Sequence, residues 1–132
     1  MKYLITFLTV LSFTMVYAQK EGSETPVIYA DPYELPQFQG GDMALKRFLA
    51  SHLNYPQRAV EEGLTGKCYT QFVVNEDGTI TDLVVKRGVP NCPECDAEAI
   101  RVIKLMPKWI PGKVDGKVVN MKYNLPVSFN IL

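Results

Sequence analysis

The sequence predicts an α+β domain, and three observations carry that prediction. Apolar residues recur at helical spacing over 43–53 and again over 94–106. A β-branched and aromatic run with a Gly-ending turn makes a hairpin over 68–86, and thirteen positions, 119–131, alternate apolar with polar residues. Helices and strands do not alternate one for one, so the parallel sheet of a βαβ chain is not expected.

Size and charge narrow the function. The chain has 132 residues, 14 Lys and Arg against 14 Asp and Glu, 47% apolar and 21% charged residues. That is one domain with enough apolar surface for a core, too short for a large or multidomain enzyme, and without the bulk charge of a polyanion binder.

Residues 1–18 read as an export signal. Lys2 supplies the positive start, 3–15 is mostly apolar, and Val16-Tyr17-Ala18 is a small-x-small cleavage signature. An uncleaved anchor is the alternative, but the sixteen residues 3–18 fall short of the roughly 20 that cross a bilayer. No Cys stands at the cleavage point for lipid attachment. Residues 19–36, with Pro26, Pro32 and Pro36, read as an acidic spacer. Five acids over 19–42 face one Lys20, whereas from Met43 onward twelve Lys and Arg meet nine Asp and Glu.

Gly40-Gly41-Asp42 reads as a turn with an N-cap, followed by a helix carrying Met43, Leu45, Phe48, Leu49 and Leu53 on one face. Pro56 breaks it and starts a short helical turn that stops at Gly63. Residues 68–74 and 79–86 pair across Asn75-Glu76-Asp77-Gly78. A helix over 94–106 ends at Pro107, and Asp115-Gly116 marks another tight turn. In the last segment Val119, Met121, Tyr123, Leu125, Val127, Phe129 and Ile131 face the core and the residues between them face water.

Pro126 lacks the N–H that a central strand donates, so this last strand is expected at a sheet edge. Such an edge is solvated, paired in a dimer, or open to a partner's strand. A proline at Met121 or Tyr123 is expected to abolish binding of a partner's extended peptide while leaving the fold.

Cys92-Pro93-Glu94-Cys95 follows a strand and opens a helix, a setting that lowers thiol pKa in disulfide oxidoreductases. A thiol-disulfide protein is therefore the rival function, although the thioredoxin-like βαβ pattern is absent and Cys68 leaves an odd count. In an oxidising compartment, Cys92 and Cys95 could close a local disulfide, or Cys68 could bridge to one of them. No metal is expected, because His52 is the lone histidine and only the 92–95 pair has ligand spacing. No cofactor is expected, and no phosphate loop, nucleophile elbow or paired catalytic carboxylates are seen. Trp109, flanked by prolines, reads as a core plug. Arg101, Lys104, Lys108, Lys113, Lys117 and Lys122 read as a solvated basic face.

Several motifs occur in order: Phe38-x-Gly40-Gly41, Tyr55-Pro56-x-x-Ala59, Gly63-Leu64-x-Gly66, Phe72-Val73-Val74-x-x-Asp77-Gly78 and Ile80-x-Asp82. They continue through Glu98-Ala99-x-Arg101-Val102, Met106-Pro107-x-Trp109-x-Pro111-Gly112, Gly116-Lys117-x-Val119 and Leu125-Pro126-Val127-x-Phe129. In this order and spacing, 37–132 resembles the TonB C-terminal domain family. The resemblance implies two helices packed on one face of a three-stranded antiparallel sheet, in a periplasmic, non-enzymatic module. It implies pairing, by strand addition, with an extended N-terminal segment of an outer-membrane receptor, and transfer of energy drawn from the inner-membrane proton gradient.

Carried onto this chain, the partner-binding residues are Asn54, Tyr55 and Pro56 with Val118, Val119, Asn120, Met121, Lys122, Tyr123, Asn124 and Leu125. Contact with the inner-membrane proton-driven motor is expected only if the leader stays uncleaved. A homodimer is a further alternative, and no nucleic acid is expected. Five or six backbone hydrogen bonds at about 1 kcal/mol each fall short of the roughly 8 kcal/mol of micromolar binding, so side-chain contacts must supply the rest.

Overall fold

Gly40 opens the first helix. Its φ of 90° is left-handed, and a Cβ there would lie 2.8 Å from the Ala44 Cβ, so other residues make this turn only with strain. The structure, a computed structural model, describes residues 32–130. The expected leader and most of the spacer lie outside the described residues. Helix α1 spans Gly41–His52; Gly40 takes the N-cap position expected of Asp42, which sits instead in the first turn, where its charge complements the helix dipole. Pro56 precedes α2, Gln57–Glu62, and Gly63, at φ 69°, ends it.

The hairpin pairs β2, Gly66–Val74, with β3, Ile80–Arg87. In its turn the Asn75 N–H donates to Thr79 and the Gly78 N–H to Asn75, both at 2.8 Å. Helix α3, Pro93–Lys104, follows, starting one residue earlier and ending two residues earlier than the spacing predicts. The main sheet is completed by β6, Met121–Phe129, antiparallel to β2, in the order β3-β2-β6.

A second small sheet was not foreseen. It joins β1, Tyr33–Glu34, to β4, Lys113–Val114, and β4 to β5, Lys117–Val118. Asp115 and Gly116, both at positive φ, turn β4 into β5 as a type I′ hairpin turn does. Two expectations change here. The spacer ends earlier than 36, because Tyr33 and Glu34 pair with β4 and Pro36 is buried. Val118 belongs to this small sheet rather than to the last strand.

Burial alternates along β6 as the sequence requires: Met121, Leu125, Val127 and Phe129 are buried, whereas Lys122, Asn124, Pro126 and Ser128 are exposed. Each buried aliphatic or aromatic side chain contributes about 2 kcal/mol. Leu125, Val127 and Phe129 share one core with Cys68 and Phe72 of β2, Leu45 of α1, Ala59 of α2, and Cys95, Ala99 and Ile103 of α3. Trp109 is the expected plug, 2% exposed, with its ring centroid 4.9 Å from Tyr123, 5.3 Å from Phe72 and 5.6 Å from Phe38.

Candidate partner-binding edge

The main sheet has two edges of different quality. β3 is irregular: its register with β2 shifts twice, and Asp82 stands at φ 55°. Such bulges twist an edge away from further pairing. β6 pairs with β2 residue for residue, from Gly66↔Phe129 to Val74↔Met121, without a break. Among the described residues, no strand lies beyond β6 in the sheet order. The straight edge is the one bearing Pro126.

Two observations settle which backbone groups that edge turns outward. The Thr70 hydroxyl donates to the Leu125 carbonyl at 2.7 Å, so this carbonyl points toward β2. In an antiparallel ladder a residue's N–H and C=O face the same neighbour, and direction alternates along the strand. Met121, Tyr123, Leu125, Val127 and Phe129 therefore bond β2, and Lys122, Asn124, Pro126 and Ser128 face out. Pro126, which has no N–H to give, falls on an outward position, as it must. A proline at Met121 or Tyr123 would break the ladder to β2, so the expectation that it spares the fold is corrected.

The structure divides the expected partner-binding residues. The Val119 N–H donates to the Gly112 carbonyl at 3.0 Å, and the Asn120 Oδ1 accepts from the Glu76 N–H at 2.8 Å. Both precede the strand and serve the loops. Tyr123 is half-buried against Trp109 and Phe72; burial, and then the Asp42 charge, push its phenol pKa up. Tyr55 lies at the opposite end of β6. Its hydroxyl donates to the Leu64 carbonyl, and its ring stands edge-on to Phe129 at 5.7 Å. Pro56 caps α2. The Asn54 N–H donates to Glu98 at 2.6 Å, while Arg101 holds Glu98 and also reaches the His52 carbonyl at 2.8 Å. Met121 and Phe129 are eight residues apart, about 26 Å along a strand, so the two groups of expected contacts do not form one cluster. The bond from Thr70 to Leu125 was missed, and only the register could have found it.

Cys92 and Cys95 are disulfide-bonded. The bond sits at the start of α3, where the Cys95 N–H donates to the Cys92 Sγ at 3.2 Å. Both residues are buried, at 1% and 0% exposure, which denies an attacking thiolate a path to the bond in this conformation. Cys68 is a buried free thiol, pushed up to about 12 by burial and by its hydrogen bond to Asp96. It is protonated and unreactive at neutral pH. Among the described residues no group of three or more His, Cys, Asp or Glu could hold a metal, and no helix is long and apolar enough to cross a membrane.

Residues 51–131 match the family model of the Gram-negative bacterial TonB protein C-terminal. The chain belongs to this family. The TonB C-terminal domain of Helicobacter pylori, solved in solution, is 24% identical with a TM-score of 0.50, and the match covers 67% of this chain and 90% of that one. At that identity the likeness concerns the fold, which is α+β in both. A longer version of the same Helicobacter pylori domain is 22% identical with a TM-score of 0.49, covering 68% of this chain and 79% of that one. None of the curated proteins compared with the chain matches it. TonB C-terminal domains are periplasmic interaction modules concerned with transport, and this chain is a TonB-like module of that kind.

Proposed function

We propose that this TonB-like domain receives an extended N-terminal segment of an outer-membrane receptor as a further strand beside β6, in support of energy-coupled transport across the outer membrane. The observation that carries the reading is the β6 edge, nine residues in unbroken register and last in its sheet. Backbone pairing tolerates varied receptor sequences, and side chains near Tyr123 add selectivity. Residues 1–18 direct the chain to the periplasm. If they are removed, no covalent link to the inner-membrane motor runs through them, and receptor binding stands apart from force transmission. N-terminal sequencing of the exported protein decides this: a start at Gln19 means a free module, a start at Met1 an anchored one.

The binding test uses the isotopically labelled protein, purified after export, with synthetic peptides copied from the extended N-termini of TonB-dependent receptors. Amide shifts concentrated on β6 are expected. Peptide binding that leaves β6 unchanged, or a β6 edge consumed by a second copy of the chain on sizing, would overturn the reading.

A further inference from the structure

We infer that Pro126 sets the register of strand addition, so that a visiting strand pairs with β6 as far as Asn124 and leaves the sheet at Pro126. The inference rests on the strand-addition reading above and adds where pairing begins and ends.

Each outward residue of β6 meets a visitor with a donor and an acceptor, and one of them cannot. Thr70 fixes the parity through the Leu125 carbonyl, and Pro126 occupies an outward place opposite Tyr69. A visitor bonded to Asn124 finds both an N–H and a C=O. At Pro126 it finds only a C=O, and the visitor's own carbonyl is left without a donor. An orphaned carbonyl between paired strands costs about 1–3 kcal/mol, as much as one further ladder bond returns. Turning that carbonyl into water is therefore the better outcome. Ser128 offers the next outward amide, beyond the gap.

The partner segment then has a definite form. It is short, about five extended residues against Met121–Leu125, or roughly 17 Å. Past that point it is solvated, so residues there can be polar or proline. Tyr55, which touches Phe129, lies outside the paired length.

The test is backbone amide exchange in the wild type and in Pro126→Ala, each with receptor-derived peptides of about five and about ten residues. In the wild type, bound peptide should slow Asn124 exchange at least about ten-fold, leave Ser128 unchanged, and gain nothing from the longer peptide. In Pro126→Ala, Ser128 should become protected, and the longer peptide should bind about five-fold tighter, the worth of one hydrogen bond. Ser128 protection in the wild type overturns the inference and leaves strand addition standing, as does a Pro126→Ala chain that gains neither protection nor affinity. Peptide binding with no protection anywhere on β6 overturns both. The wild-type length series holds even if the variant self-associates.

Discussion

The Thr70 hydroxyl on β2 donates to the carbonyl of Leu125, directly opposite on the neighbouring β6, at 2.7 Å, inside the core and next to the edge of the sheet. Thr70 is 1% exposed, the one buried polar residue among those described, and its hydroxyl ties the edge strand to the centre of the sheet. Thr70→Val should lower stability by about 1–2 kcal/mol, and Thr70→Ser should restore most of it. Urea unfolding of the three proteins measures this; equal midpoints would deny the bond any role.

Ladder parity separates two neighbouring prolines. Tyr123→Pro removes an N–H directed at β2 and a ring packed on Trp109, and should unfold the domain or cost about 3 kcal/mol or more. Asn124→Pro removes an outward N–H and the side-chain bond from Gln71 at 3.0 Å. It should keep a native circular dichroism spectrum and lose peptide binding, whereas Asn124→Ala, which keeps the amide, should bind within about two-fold of wild type. Native folding of Tyr123→Pro would invert the assigned parity.

Glu94 gives the domain an acid limb. The Arg58 guanidinium, hydrogen-bonded to it at 2.6 and 2.8 Å, holds its carboxyl down at about 2. Arg101 likewise lowers Glu98. A carboxyl whose folded pKa is depressed contributes stability that is complete above its unfolded value, about 4.5, and is lost as pH falls through the folded value. Thermal midpoints should hold steady above about pH 5 and fall toward pH 2, with a shallower fall in Glu94→Gln. Glu94 is surface-exposed, so about 0.5 M salt should blunt the difference between it and Glu94→Gln.

Reducing the Cys92–Cys95 bond opens a four-residue loop, worth about 2 kcal/mol in the chain-entropy estimate. Cys92→Ser/Cys95→Ser should lose about that much stability and retain β6 peptide binding. Thiol labelling of the native protein should spare Cys68 until unfolding. A variant that folds normally but no longer binds peptide would tie the disulfide to function and revive the redox alternative.

Gly78 joins the hairpin turn to Trp109. Its carbonyl accepts the Trp109 N–H at 2.9 Å, its φ is 88°, and a Cβ there would lie 2.5 Å from the Trp109 carbonyl oxygen. Gly78→Ala combines backbone strain with a clash against main chain, and should cost about 2–3 kcal/mol, read by denaturation with Trp109 fluorescence. An unchanged midpoint would show that the turn yields freely.

The elements were legible wherever a local rule dictates them. Apolar alternation over 121–129 has only one way to bury a face, Gly63 supplies the left-handed stop of α2, and Asp115-Gly116 suits the primed turn it makes. The start of α1 was placed on Asp42 because a capping side chain is the commoner device, whereas the tight approach to Ala44 calls for glycine at Gly40. The small sheet escaped because its strands are two residues long and leave no period to detect. Asn120 continued the alternation in sequence, yet its side chain closes the loop at Glu76, which ends the strand's useful length at Met121.

By itself the sequence determined the α+β composition, the amphipathic last strand, and, through one missing N–H at Pro126, that this strand lies at an edge. These follow from side-chain period and backbone chemistry, which are local. Tertiary structure alone decided which backbone groups face out, that Tyr55 and the start of β6 stand at opposite ends of the strand, and that Cys68 is a free thiol while Cys92 and Cys95 are bonded. Register, distance and pairing depend on residues far apart in the chain, and only packing around a shared core brings them to definite positions.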